Sequence, residues 1–221
     1  MSTTIWKIQV PIGSEFAELN RHYQEPEGEK CANCGAIVAP TNEILTVEWD
    51  DGSDQVGDFV HAGADIVLQE SVAERLRVVA TGFKTAPIKF FDHPNLRKPV
   101  SIRNDSEPRV WLPYDGPPLC QFLVFQKVPL SHHSTVEVDS HCEVCGTIRY
   151  KRIIGVERKT KALSKARIDG QGLFVSAADL KEDGFFSPIG TSLTLCTNAV
   201  KEFIQSEGFT NIELLEYGDV V

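Results

Sequence analysis

The chain alternates short β-type runs with turn residues, and only two stretches carry a helical period. Ile5 to Val10 alternates apolar and polar positions at the two-residue spacing of a half-buried strand. Residues 36–49 hold two β-rich runs broken by Pro40-Thr41-Asn42. Asp65–Leu68 predicts a strand. Ser71 then predicts a helix cap, with Val72, Leu76 and Val79 on one face of the helix. A strand follows over 86–91. Residues 92–118 contain six prolines and predict a connector. Leu119–Val128 predicts a strong central strand, Ser131–Ser140 is polar with partial alternation, and Arg149–Val156 predicts another strand. Thr197 or Asn198 predicts the cap of a last helix that runs to about Ile204. Ile212–Tyr217 closes the chain as a strand. These elements add up to an α+β fold in which strands outnumber helices.

The pattern also repeats. Adding 127 to positions 57–77 lays them without gaps on Gly184 to Ile204. Gly57 then meets Gly184, Phe59 meets Phe186, Leu68 meets Leu195, Ser71 meets Asn198 and Leu76 meets Phe203. Each copy runs CxxCG, variable strands, a Phe-containing turn, a short strand, a capped helix, Gly-Phe and a final apolar strand. The expected organisation is one compact domain over 1–221, built from two related halves. These span about 1–91 and 119–221 and are joined by the Pro-rich connector 92–118. Each half is expected to be a β-rich strand–helix–strand unit.

Cysteine placement brings in the first chemistry. Cys31-Ala-Asn-Cys34-Gly35 and Cys142-Glu-Val-Cys145-Gly146 are two copies of CxxCG, with 107 residues between Cys34 and Cys142. Two cysteines at this spacing can turn both sulfurs to one side of a tight loop, within the ~2.3 Å reach of zinc. The glycine after the second cysteine suits the positive φ that such a loop needs. Two knuckles facing each other form a closed site with Cys31, Cys34, Cys142 and Cys145 as ligands and a structural Zn2+ between them. A disulfide within each motif, or cysteines that hold no metal, are the alternatives that the residues leave open. His141 and His22 are candidates to replace a sulfur. Cys120 and Cys196 sit in apolar runs and predict small buried side chains.

Composition then narrows the function classes. The chain has 221 residues, 42% hydrophobic and 24% charged, which is ordinary for a globular protein. It begins without a basic and apolar leader and holds no apolar run near the ~18–20 residues of a membrane span, so a cytoplasmic protein with no membrane partner is expected. The net charge is −9 and is unevenly placed. Segment 151–167 carries seven basic residues against Glu157, a net of +6, which leaves −15 on the rest. An acidic body attracts basic proteins and repels nucleic acid. The +6 segment is the one feature that favours the alternative, a nucleic-acid-binding zinc protein. No GxGxxG, GxxxxGK[ST], HExxH or GxSxG motif is present, and no nucleophile–base set is visible, so binding without catalysis is expected. Asp50, Asp51, Asp54 and Asp58 form an acidic run whose spacing matches no calcium loop, and they are the candidate partner-binding residues.

Two CxxCG motifs about 110 residues apart, each followed by a strand–helix–Gly–strand pattern, resemble the double-CXXCG motif family. That family forms expanded paralogous sets in myxobacteria, and some members are immunity proteins of swarming-inhibition and related polymorphic toxin systems. The resemblance is clearest at Cys31–Gly35, Cys142–Gly146 and Ser192–Tyr217; the basic stretch after the second motif has no match in the family pattern. It implies a protein that binds and neutralises a cognate toxin. The acidic body would favour a basic toxin.

Overall fold

The computed structural model describes residues 4–21, 28–40, 44–49, 55–91, 116–154, 167–168, 170–180 and 182–221. The first half contributes β1 (Thr4–Gln9), β2 (Leu19–Arg21), the hairpin β3 (Gly28–Lys30) and β4 (Ile37–Pro40), then β5 (Leu45–Trp49) and β6 (Phe59–Ala62). It ends with β7 (Asp65–Gln69), α1 (Glu70–Arg77) and β8 (Phe83–Phe90). The second half contributes β9 (Leu119–Val124), β10 (Lys127–Val128), the hairpin β11 (Val136–His141) and β12 (Ile148–Ile153), then β13 (Leu173–Val175) and β14 (Phe185–Pro188). It ends with β15 (Leu195–Thr197), α2 (Asn198–Glu207) and β16 (Glu213–Val220).

Six strands close into a barrel, β2–β6–β7–β9–β8–β5, with β5 returning to β2. Six others form a sheet in the order β10–β14–β15–β1–β16–β13. The two orders correspond strand by strand, and so do the pairing directions. The outermost pairs, β2 with β6 and β10 with β14, are parallel, as are β5 with β8 and β13 with β16. All pairs between them are antiparallel. The halves have exchanged their first strands: β9 lies between β7 and β8, and β1 lies between β15 and β16. The barrel closes through the ladder Leu19↔Trp49, Asn20↔Glu48 and Arg21↔Val47. The second sheet is bridged at the same place by a loop. There Ser131 N–H donates to Phe174 O at 2.8 Å, and Phe174 N–H donates to Ser134 Oγ at 2.9 Å.

The α+β expectation is therefore corrected. Among the described residues 46% are strand and 11% helix. The strands flanking each helix are not neighbours, because a strand of the other half separates them. The reason is topological. β7 and β8 are each antiparallel to β9, hence parallel to one another, and parallel strands need a crossover such as α1. Phe59–Ala62 and Phe185–Pro188, expected as turns, are strands whose residues are almost all buried, so they show no alternation to read. α1 starts at Glu70 with Gln69 as its cap, which places Ser71 inside the first turn. The break at Phe125–Gln126 divides the expected strand 119–128 into β9 and β10. Residues 92–115 of the expected connector lie outside the described residues.

The core has three parts. Val60, Val67 and Leu119 point into the barrel beside Leu19, Val47 and Trp49. Phe186, Leu195 and Ile5 occupy the corresponding space of the second sheet. Between the two lies a shared layer with Phe59, Leu68, Phe83, Phe122, Phe185 and Cys196, closed by Val72 and Leu76 of α1 and Val200 and Ile204 of α2. Phe83, Phe122 and Phe185 meet with centroids 4.9–5.2 Å apart. Arg75 of α1 pairs with Glu207 of α2 and stacks on Phe209.

These layers refine the repeat. Phe59 corresponds to Phe185, not Phe186, since both lie in the shared layer. Leu68 likewise corresponds to Cys196, and Leu76 to Ile204. The gapless match is off by one residue in opposite directions on the strands of each hairpin, and in a strand one residue is a change of face.

Candidate metal centre

The two CxxCG motifs form the tips of hairpins β3–β4 and β11–β12, and they fold alike. In the first, Gly35 N–H donates to Cys31 O at 2.9 Å and Cys31 N–H to Ala36 O at 2.8 Å. In the second, Gly146 N–H donates to Cys142 O at 2.8 Å and Cys142 N–H to Thr147 O at 2.9 Å. Gly35 and Gly146 have φ of 69° and 71°, the left-handed conformation that makes glycine the residue of choice after the second cysteine.

The hairpins meet tip to tip. The four Sγ atoms lie within 4.8 Å of one another. Across the junction, Cys31 Sγ is 3.8 Å from Cys142 Sγ, and Cys34 Sγ is 3.5 Å from Cys145 Sγ. Tetrahedral zinc with bonds of ~2.3 Å places its sulfurs about 3.8 Å apart, so the four atoms fit one ion. All six cysteines are free thiols. Cys31 and Cys142 are buried, while Cys34 and Cys145 are partly exposed.

The surroundings of the sulfurs differ between the knuckles. Asn33 donates its side-chain amide to Cys142 Sγ at 3.4 Å, from the first knuckle to the second. That amide, with the Cys145 and Val144 backbone N–H groups, holds the Cys142 thiol down at about 6. The Thr147 hydroxyl lies 3.1 Å from Cys145 Sγ and, with its own backbone N–H, also lowers that thiol. Cys34 goes the other way. The Ala36 N–H pulls it down, but burial and the crowding of Cys145, Cys142 and Cys31 outweigh this and push it up to about 11. The second knuckle thus favours thiolates before any ion arrives. Four sulfurs make a donor set suited to a structural ion.

Asn33, Thr147 and Arg149, whose guanidinium donates to Cys34 O at 3.4 Å, are the supporting residues that the motif spacing did not reveal. Asn33 is the polar residue inside CANCG; Thr147 and Arg149 carry no signal of their own in the sequence. Among the described residues no histidine joins the sulfurs. His141 is exposed beside Cys142, and His22 lies outside the described residues. His132 and His133 stack on each other at 3.9 Å away from this cluster. Cys120 and Cys196 are buried in the shared core layer. Burial pushes the Cys120 thiol up to about 11 and Cys196 still higher, which leaves both unreactive.

Of the acidic run, Asp50, Asp51 and Asp54 lie outside the described residues. The Asp58 carboxylate accepts from Thr210 N–H at 2.8 Å and from Thr210 Oγ at 2.9 Å, a tie between the halves. In the basic segment, Lys151 and Arg152 both pair with Glu137, at 2.8 and 2.7 Å. Arg167, with its side chain only 7% exposed, pairs with Glu216 at 3.2 Å and Asp219 at 2.6 Å. Residues 155–166 lie outside the described residues. No helix among the described residues is long and apolar enough to cross a membrane. No protein-family model matches the chain, and no curated protein matches it either.

Proposed function

We propose that the chain is a zinc-stabilised binding protein of the immunity type, which neutralises a basic protein toxin in the cytoplasm by occupying its surface. The observation that carries this reading is the closed four-sulfur cluster at the junction of two hairpins. Four protein ligands leave no position for a substrate, so the ion supports shape, and activity falls to the surface. Reduced thiols also suit the cytoplasm. The sequence carries a net charge of −15 outside segment 151–167. Within that segment Lys151, Arg152 and Arg167 are already paired with acids of this chain, which weakens the case for nucleic acid as the ligand. A basic protein is the partner that such a charge steers and binds. The toxin role itself rests on the resemblance of the two CxxCG motifs.

The test is co-expression with any toxin gene lying beside the chain's own gene. Restored growth and a complex on gel filtration are expected. Changing Asp50, Asp51 and Asp54 to lysine should weaken that complex most at low salt, with Asp58 left intact because it binds Thr210. Unchanged protection and binding would remove the acidic surface from the account. Salt-dependent capture of RNA or DNA by the purified chain would favour the nucleic-acid reading instead.

A further inference from the structure

The two hairpins that meet at the sulfurs are held to the rest of the molecule by different means. β11–β12 is docked independently of the cysteines. Thr135 N–H, at the foot of β11, donates to Gly172 O at 3.0 Å. Val136 and Ile153 pack against the core of the second sheet. Gly190 lies so close beneath the hairpin that a Cβ there would stand 2.7 Å from Ile148 O and 2.9 Å from the Tyr150 ring.

Among the described residues β3–β4 shows no such footing. Its hydrogen bonds to the rest of the chain run, among those residues, only to the other knuckle. Besides the thiol pairs Cys31–Cys142 and Cys34–Cys145, they are Asn33 to Cys142 Sγ and Arg149 to Cys34 O, both at 3.4 Å. Of its described side chains only Cys31 is buried, and Ile37 stands exposed. A two-stranded hairpin by itself is marginal in water. Two long hydrogen bonds at an open junction are weak restraints against the chain entropy of thirteen ordered residues.

We propose that β3–β4 is a metal-operated clasp: an ion held by Cys31, Cys34, Cys142 and Cys145 docks it on β11–β12, and loss of the ion releases it while β11–β12 stays in place. The inference rests on the metal centre and is independent of the toxin reading. The asymmetry follows from the anchors above: among the described residues β3–β4 reaches the rest of the chain through bonds to β11–β12, while β11–β12 also has Gly172, Gly190 and the core of the second sheet. Release uncovers the knuckle 142–146 and frees the first hairpin, so metal supply sets which surface the molecule presents.

Hydrogen exchange read by mass spectrometry on the full chain tests this, first loaded with zinc and then stripped with a chelator, with bound metal measured on each sample. After stripping, residues 28–40 should exchange at least about tenfold faster, with residues 136–153 and the core strands and helices nearly unchanged. The double variant Cys31→Ala/Cys34→Ala should show the same selective loss in the presence of zinc, which separates release from any side effect of the chelator. Equal loss of protection in both hairpins, loss throughout the body, or unchanged protection of 28–40 would each overturn the clasp. A chain that takes up no zinc would overturn the metal centre along with it, and the metal measurement tells these outcomes apart.

Discussion

Hairpins β3–β4 and β11–β12 close the same five-residue loop with the same two backbone hydrogen bonds, yet they divide the work of the site unequally. The second is fastened to the body and carries the sulfurs tuned toward thiolate. Asn33 reaches across to Cys142, and Thr147 stands beside Cys145. The first supplies two sulfurs and one donor, and among the described residues its bonds to the rest of the chain run to its neighbour. A similar division separates the halves. The barrel closes by a strand ladder, and its counterpart sheet by the loop Ser131–Ser134. The same strand order therefore tolerates different closures. The distinction between the halves lies in what spans the last gap, a strand ladder in one and a loop in the other.

The largest effect that could break this comparison comes from the ligands themselves. Cys31→Ser and Cys142→Ser should each abolish stoichiometric zinc binding, because structural sites need all four donors. Metal analysis of the purified variants checks this, and tight zinc in either variant would end the four-sulfur account. Next in size is Gly190→Ala. Its φ of 81° and its approach to Ile148 O leave no room for a methyl group, so the second hairpin should lose its footing. A loss of about 1–3 kcal/mol in urea unfolding is expected.

Asn33→Ala sharpens the electrostatic half of the comparison. Removing that donor should weaken zinc by about 10–100-fold, as loss of an outer-shell partner commonly does. The sign of the pH effect follows from the thiol. Cys142 is held down at about 6, so the metal-free protein keeps this thiolate above that pH and loses it as pH falls through it. Zinc affinity should weaken as pH falls, since the ion must displace the proton of Cys34 already, and weaken more steeply once Cys142 is protonated too; Asn33→Ala should move the midpoint of that steeper fall to higher pH. Competition titrations against a chromophoric chelator across pH read both quantities, and an unmoved midpoint would assign Asn33 no role. The smallest effect is expected from Arg149→Ala. It removes one exposed bond to Cys34 O and should cost the zinc-loaded protein about 1 kcal/mol or less. Thermal melts with zinc present are the check.

Much of the site was legible because spacing is local. Two CxxCG motifs identify four cysteines that could hold a metal ion and two left-handed glycines wherever the hairpins lie. The fold was legible only in part. The amphipathic helices and the alternating strand β1 announced themselves by period. β6 and β14 did not, since strands buried on both faces lose alternation. The repeat was visible as an order of elements, but its alignment slipped by one residue on each strand, as the division of Phe59 with Phe185 and Leu68 with Cys196 makes plain. Asp58 reads as one of four solvated acids, and only its partner Thr210, 152 positions away, assigns it to the joint between the halves.

By itself, then, the sequence determined the chemistry of the knuckles, the acidic balance and the positions of the two helices. Each of these depends on residues a few positions apart or on composition. Tertiary structure decided that β1 and β9 change places and that six strands close a barrel. It also decided that Asn33 serves the opposite knuckle and that β11–β12 stands on the core of the second sheet. Those are contacts between residues far apart in sequence. No local period encodes them, because the same hydrophobic pattern suits either neighbour until the whole sheet is assembled.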